Sequence, residues 1–154
     1  MPKQSAGLLM YRHREQTEVF LVHPGGPFWS NKDLGAWTIP KGEYVGDEPP
    51  LSAAIREFAE ETGFTTPPSV SDYIALGTIR QPSGKLVTAW AFAGDCDPAA
   101  LLSNTCEIEW PPRTGRKLQI PEADRGAWFS LAEARQRINP AQQPFLETLS
   151  AKRP

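Results

Sequence analysis

Short runs of apolar residues alternate with polar stretches through the first part of the chain. Residues 6–11 and 19–22 are apolar and rich in strand-compatible types, and the polar stretch 12–18 separates them. This pattern predicts a β-hairpin. The following segment, up to Pro40, is rich in glycine, proline and aromatic residues, so we expect a turn-rich loop there.

The pattern changes to a helical period after Pro50. Apolar residues then recur at three- and four-residue steps, at Leu51, Ala54, Ile55 and Phe58. This spacing predicts an amphipathic helix over residues 51–62, with one buried face. Pro49 and Pro50 precede the predicted helix and Gly63 follows it, as is typical of helix starts and stops.

The second half of the chain mixes further strands and helices. Residues 73–79 and 86–93 are predicted to form a strand pair around the turn-like Pro82–Gly84 segment, and 106–110 another strand. Helices are predicted over 131–138 and 143–149. Because strands and helices do not alternate regularly, an α+β fold, built as an α/β/α sandwich with a mixed central sheet, is favoured over a doubly wound sheet.

Composition narrows the classes of protein that this chain can represent. With 154 residues, 40% hydrophobic content and a formal charge of -2, we expect a single globular domain over residues 1–154. There is no signal-peptide pattern and no apolar run near the roughly 20 residues that span a bilayer. We therefore expect a cytoplasmic protein without a membrane partner. Cys96 and Cys106 are expected to be reduced thiols.

Three carboxylates cluster on the predicted central helix. Glu57 and Glu61 are one turn apart and Glu60 lies beside them, on a flank more than about 100° from the apolar stripe. We expect this flank to face solvent. Like charges at neighbouring helical positions repel one another, and a bound divalent cation would offset that repulsion. Carboxylate oxygens suit Mg²⁺, for which Mn²⁺ can substitute.

The surroundings of these acids support a site rather than a solvated helix face. Arg56 is one turn before Glu60 and can pair with it, while Glu48 can reach the cluster from the turn before the helix. Gly42 would let the backbone approach a metal or phosphate closely. These residues alone indicate an acidic metal site.

The spacing of the whole set matches a known pattern. The pattern is G-x5-E-x7-R-E-U-x-E-E-x-G-U, where U is a bulky apolar residue. The residues that match it are Gly42, Glu48, Arg56, Glu57, Phe58, Glu60, Glu61, Gly63 and Phe64. This resembles the Nudix box of the Nudix hydrolases. The preceding strands, the lead-in from Trp37 to Lys41 and the trailing helix are also similar to that family's α/β/α sandwich.

The resemblance implies hydrolysis of a nucleoside diphosphate linked to another moiety, with divalent cations bound on the box helix. By position, Glu57, Glu60 and Glu61 look like metal ligands, and the Gly42 carbonyl like a further one. Arg56 looks like the orienting arginine, and Glu48 like the outer carboxylate. The role of general base falls to Glu60 or Glu57.

A further acid from a later loop often completes such a site. Pro121–Arg125 reads as a loop, and the distance from Glu122 to Trp128 is similar to that in family members acting on dinucleoside polyphosphates, so Glu122 is the leading candidate. Glu107 and Glu109, on one face of a predicted strand, are the rivals.

Substrate anions require cations, and a nucleobase can stack on an aromatic ring. The candidate cations, which lie in segments that could border the cleft, are Lys32, Lys41, Arg80 and Lys85, and Lys41 immediately precedes Gly42. Each of them alone also fits an ordinary surface charge. Trp29 and Phe28, both in a loop, are the candidates for stacking.

Three functions remain open at this stage. The Trp37-to-Gly42 lead-in and the Glu122-to-Trp128 spacing resemble diadenosine polyphosphate hydrolases, although Arg80–Pro82 stands where those enzymes carry a tyrosine. The alternative enzyme is a nucleoside triphosphate pyrophosphohydrolase. A non-catalytic nucleotide sensor is the third hypothesis, against which the complete box argues. The expected partner is a small nucleotide, the slight net acidity argues against nucleic acid, and the oligomeric state stays open.

Overall fold

The computed structural model describes residues 2–152, so Met1, Arg153 and Pro154, the ends of the predicted domain, lie outside it. The strands are β1 (Gln4–His13), β2 (Thr17–Pro24), β3 (Lys41–Tyr44), β4 (Ile74–Arg80), β5 (Leu86–Ala93), β6 (Thr105–Glu109), β7 (Lys117–Pro121) and β8 (Ala123–Ser130). The helices are α1 (Pro50–Thr62), α2 (Leu131–Arg137) and α3 (Gln143–Lys152).

The main sheet is mixed and is built around β1. Its strands follow the order β4-β5-β1-β2-β8, and β3 also pairs with β1. β1 and β5 run parallel, whereas the other pairs of this sheet are antiparallel. β6 and β7 form a separate antiparallel pair. The predicted mixed central sheet is therefore confirmed.

Helices cover both faces of this sheet. One core cluster joins the sheet to α2 and α3, through residues such as Phe145 and Leu149. The other joins it to α1, through Ala54 and Phe58. Successive β1 side chains alternate between the two clusters, since Leu8 belongs to one and Leu9 to the other. The predicted α/β/α sandwich is confirmed.

The predicted hairpin, the strand pair, the strand near Cys106 and the first two helices are present within one or two residues of their predicted bounds, and the third predicted helix is present but extends three residues further, to Lys152. Three strands were not predicted: β3, β7 and β8. The loop predicted over Pro121–Arg125 is wrong, because Pro121 ends β7 and Ala123 begins β8, with Glu122 alone between them. Within the described part of the chain, no helix is both long and apolar enough to cross a bilayer.

Candidate active site

Helix α1 holds the box acids in a fixed orientation. Pro50 occupies its first turn, and Gly63 ends it in a left-handed conformation (φ 75°), where its N–H donates to the Ala59 carbonyl. Ala53, Ala54 and Phe58 are fully buried against the sheet. This packing sets the rotation of the helix and therefore the directions in which its carboxylates point.

Arg56 ties three carboxylates together. Its Nε and Nη2 each donate to an oxygen of Glu48, both at 2.9 Å. Its Nη1 donates to Glu57 Oε2 at 2.6 Å and to Glu60 Oε1 at 3.1 Å. The planar guanidinium suits this arrangement because it presents several donors in a rigid fork. Its hydrogen bonds lower the pKa of Glu48 and raise the already high pKa of Arg56.

The expectation that all three helix acids face solvent is wrong for two of them. Glu57 and Glu61 are only 8% and 7% exposed. Strand β3 covers them, and the Lys41 backbone N–H donates to Glu61 Oε2 at 2.7 Å. Burial raises the pKa of Glu57, and it raises the pKa of Glu61 to about 8. Both carboxylates therefore sit where a negative charge is costly unless a cation or hydrogen bonds offset it.

Gly42 makes this close packing of β3 on α1 sterically feasible. A Cβ atom built on Gly42 would overlap the carboxylate of Glu57. Any side chain at this position would push the strand away from the helix or displace Glu57. The structure thus brings the Gly42 backbone beside one of the predicted metal ligands.

A cavity of about 300 Å³ opens beside these acids. It is lined by Pro24, Trp29, Ala36, Thr38, Lys41, Glu61, Gln81, Glu122, Asn139 and Gln142. Trp29, Lys41, Glu61 and Glu122 were predicted site residues, and the fold brings them together from four separate segments. The volume is at the lower end of the range for small-molecule sites.

Backbone hydrogen bonds fix Glu122 relative to α1. The Gly25 N–H donates to the Glu122 carbonyl, and the Glu122 N–H donates to the carbonyl of Asn104. The Asn104 N–H in turn donates to the Glu60 carbonyl at 2.8 Å. Burial raises the pKa of Glu122, and repulsion from Glu60 raises it further, so the two carboxylates lie within electrostatic range of each other.

The rival acids Glu107 and Glu109 lie outside this cavity, exposed on β6. Glu109 accepts hydrogen bonds from the backbone N–H groups of Arg113 and Gly115, which order the turn between β6 and β7. The geometry therefore favours Glu122 over both.

Three predicted substrate-binding cations lie away from the cavity. Lys32 is exposed, and its Nζ lies 4.7 Å from the centre of the Phe28 ring. Arg80 lines a different cavity, together with Lys85. Lys41 is thus the predicted cation that lines the cavity beside Glu61.

Several polar residues of the cavity were missed by the sequence analysis: Thr38, Gln81, Asn139 and Gln142. Gln142 is fully buried, and its Oε1 accepts the backbone N–H of Ile39 at 3.0 Å. These residues are uncharged, come from unconnected segments and belong to no recognisable motif. Only the tertiary fold assembles them.

Divalent cations fit this site in charge and in ligand type. In residues 2–152, no three His, Cys, Asp or Glu side chains are already arranged as a metal-binding group. One oxygen of Glu57 and the carboxylate of Glu60 are instead hydrogen-bonded to Arg56. Glu57, Glu61 and Glu122 nevertheless supply desolvated carboxylates in mutual repulsion, and hard cations prefer such oxygen ligands.

Comparison with known proteins agrees with this architecture. The family model described as the NUDIX domain matches residues 1–149. Among solved structures, a Caenorhabditis elegans Ap4A hydrolase in a binary complex is 22% identical, with a TM-score of 0.65 and coverage of 96% of each chain.

Two further structures share the fold. The NUDIX domain of Shewanella oneidensis NrtR, solved in complex with ADP ribose, is 18% identical with a TM-score of 0.65, and the match covers 99% of this chain and 88% of that one. A MutT/nudix family protein from Enterococcus faecalis is 18% identical with a TM-score of 0.58; the match covers 84% of this chain but only 44% of that longer protein. At these identities the likeness concerns the fold.

Proposed function

The chain belongs to the Nudix family of pyrophosphohydrolases, and on that basis we propose that it is a Mg²⁺-dependent hydrolase that cleaves a pyrophosphate bond in a nucleoside polyphosphate. One observation carries this proposal: the buried carboxylate of Glu61 lines a cavity of about 300 Å³ together with Glu122 and Lys41, and the buried Glu57 lies one helical turn before Glu61 on α1. Buried acids beside a lysine at one cavity suit the binding of a metal ion together with phosphate.

Each residue has a role in this proposal. Glu57, Glu60, Glu61, Glu122 and the Gly42 carbonyl would hold Mg²⁺, or Mn²⁺ in its place. When bound, the cation would supply positive charge to offset that of the phosphate oxygens and would make a water molecule more acidic.

The protein's own groups would bind and orient the substrate. The Lys41 ammonium attracts phosphate oxygens, and the half-buried Trp29 ring stacks on a nucleobase. Glu60 or Glu57 accepts a proton from the attacking water. Arg56 positions both of these carboxylates through the same nitrogen atom.

The leading substrate is a dinucleoside polyphosphate such as diadenosine tetraphosphate. Support comes from the Glu122-to-Trp128 spacing and from the fold shared with the C. elegans Ap4A hydrolase. One observation favours the alternative, a nucleoside triphosphate pyrophosphohydrolase: Trp29 is the one aromatic residue among those described as lining the small cavity. A single ring and a small volume suit one nucleoside.

A hydrolysis screen with product identification separates these substrates. The panel contains diadenosine tetraphosphate, nucleoside triphosphates, ADP-ribose and a 5'-triphosphorylated RNA, each with Mg²⁺ and with Glu60→Gln as control. We expect ATP and AMP from the dinucleotide, and a loss of orders of magnitude in the variant.

The other outcomes are equally informative. A nucleoside monophosphate with pyrophosphate, formed preferentially from triphosphates, would favour the alternative enzyme. Tight nucleotide binding without turnover across the panel would contradict both enzymes and support the nucleotide sensor. Equal turnover by wild type and Glu60→Gln would contradict the assignment of Glu60.

A further inference from the structure

A second, larger cavity lies next to the candidate active site. Its volume is about 640 Å³, and it opens between the start of β1, strand β3 and the β4–β5 turn. Its lining residues are Pro2, Lys3, Glu43, Arg80, Ser83, Gly84 and Lys85. Three of these are cations from three separate positions of the chain, and Glu43 is the one acid among the residues described as lining it.

The cations are not neutralised as a group. Lys85 Nζ pairs with Glu43 Oε2 at 2.9 Å, which balances one positive charge. Arg80 Nη1 makes a long 3.4 Å hydrogen bond to the Gly84 carbonyl, which carries no charge, so most of its donors face the cavity or solvent. Lys3 and Arg80 thus leave an excess of positive charge around a space large enough for several phosphate groups.

The β4–β5 turn separates this cavity from the active-site cavity and borders both. Gln81 lines the active-site cavity, while Arg80 at the end of β4 and Lys85 of the same turn line the second one. The turn is closed by hydrogen bonds from the Gln81 N–H to the Lys85 carbonyl and from the Gly84 N–H to the Gln81 carbonyl, both at 2.8 Å. These bonds hold the two sets of lining residues in a fixed relation.

Strand β3 links the two cavities in the same way. Lys41 and Glu43 are two residues apart on this strand, so their side chains lie on the same side of it. Lys41 lines the active-site cavity and Glu43 the second one. Burial lowers the pKa of Lys41, and repulsion by Lys85 lowers it further, so the two ammonium groups are within electrostatic range.

We propose that this cationic cavity binds the part of the phosphate chain that lies beyond the scissile bond, so that the enzyme favours substrates with longer phosphate chains. A phosphate chain that extends from the carboxylates of α1 would pass Lys41 and reach Lys85, Arg80 and Lys3. The inference rests on the proposed function, which places the reacting phosphates at Glu57 and Glu61. It assigns the second cavity to phosphate oxygens rather than to a base, because the described residues that line it offer cations and no aromatic ring.

Kinetics with substrates of different chain length test the assignment. KM is measured for ATP and for adenosine tetraphosphate with wild type and with the double variant Lys3→Ala/Arg80→Ala. We expect wild type to have a lower KM for the tetraphosphate than for ATP. In the double variant the ratio of the KM for ATP to the KM for the tetraphosphate should fall about tenfold, which corresponds to about 1.4 kcal/mol. Lys117→Ala, which removes an exposed cation on β7, is the matched control and should keep the wild-type preference.

Direct binding of inorganic tripolyphosphate tests the cavity without catalysis. Calorimetry in the presence of EDTA should show about tenfold weaker binding to the double variant, and a binding constant that falls with added salt. Glu43→Gln releases Lys85 from its partner and should strengthen binding. Thermal unfolding of each variant confirms that the exposed substitutions leave the fold intact.

The outcomes separate the two proposals. Weaker tripolyphosphate binding by the double variant, with no nucleotide hydrolysed by wild type, would support the cavity and overturn the proposed function. Weaker binding with an unchanged preference in KM would assign the cavity to free polyphosphate and overturn its role for substrate. Equal binding by wild type and the double variant would overturn the inference.

Discussion

At the scale of single residues, the site is organised by one arginine. Arg56 holds Glu48 through two nitrogens, and Glu57 and Glu60 through a third. The contact between Arg56 and Glu60 follows from their spacing of one helical turn and could be predicted from the sequence. The near-complete burial of Glu57 and Glu61 could not, because it depends on strand β3 lying across α1.

The burial of Glu61 predicts an unusual dependence of stability on pH in the metal-free protein. Its pKa is about 8 in the folded protein against an ordinary value of 4.5. Between these values the folded state binds more protons than the unfolded state, so the free energy of unfolding falls as pH rises. Urea denaturation from about pH 5 to pH 8.5 should show this fall in wild type, and a smaller one in Glu61→Gln.

The control for that measurement is Glu109→Gln. Glu109 is exposed on β6, and its substitution should leave the slope of stability against pH as it is in wild type. Identical slopes for wild type and Glu61→Gln would show that the Glu61 carboxylate is hydrated in the folded protein, and would contradict its description as buried.

At the scale of elements, α1 could be predicted with its ends because three independent signals agree there. The apolar period, the prolines before Leu51 and the glycine after Thr62 all indicate the same helix. The missed strands lack such signals. β3 is only four residues long, and β8 includes Asp124 and Gly126, which are poor strand formers. They form strands because they pair with β1 and β2.

The rotation of α1 can be tested through Phe58. This side chain is fully buried and makes an edge-to-face contact with Phe92, with ring centroids 5.3 Å apart. Phe58→Ala should lower the free energy of unfolding by about 3 to 5 kcal/mol, because it leaves a cavity in the core. Chemical denaturation measures this change.

Phe28→Ala is the matched control for that substitution. Phe28 is 55% exposed, so its removal should change stability by less than about 0.5 kcal/mol. Equal effects of the two substitutions would mean that α1 is rotated away from the orientation described here.

At the scale of the whole molecule, the Nudix-type sandwich explains why the candidate functional residues lie close together. The family and its α/β/α sandwich were predicted from the box residues and the order of elements, and both are confirmed. The cavity lining could be predicted only in part. Thr38, Gln81, Asn139 and Gln142 reach it from segments far apart in sequence, and only the packing of the sheet brings them together.

The arrangement of two adjoining cavities also belongs to this scale. The candidate active-site cavity joins Glu61 of α1 to Glu122, and the β4–β5 turn and β3 lie between it and the cationic cavity. Acids on one side and cations on the other suit a substrate that carries both a metal-bound reacting phosphate and a further anionic chain. Neither cavity could be predicted from the box residues alone.

The central claim is that the carboxylates buried between α1 and β3 bind a divalent cation, and Mn²⁺ binding tests it most directly. Titration by calorimetry compares wild type with Glu57→Gln, Glu61→Gln and the control Glu109→Gln. The account predicts that wild type and the control bind Mn²⁺ equally, and that each of the other variants loses at least about tenfold in affinity. Equal affinity in all four proteins would contradict it.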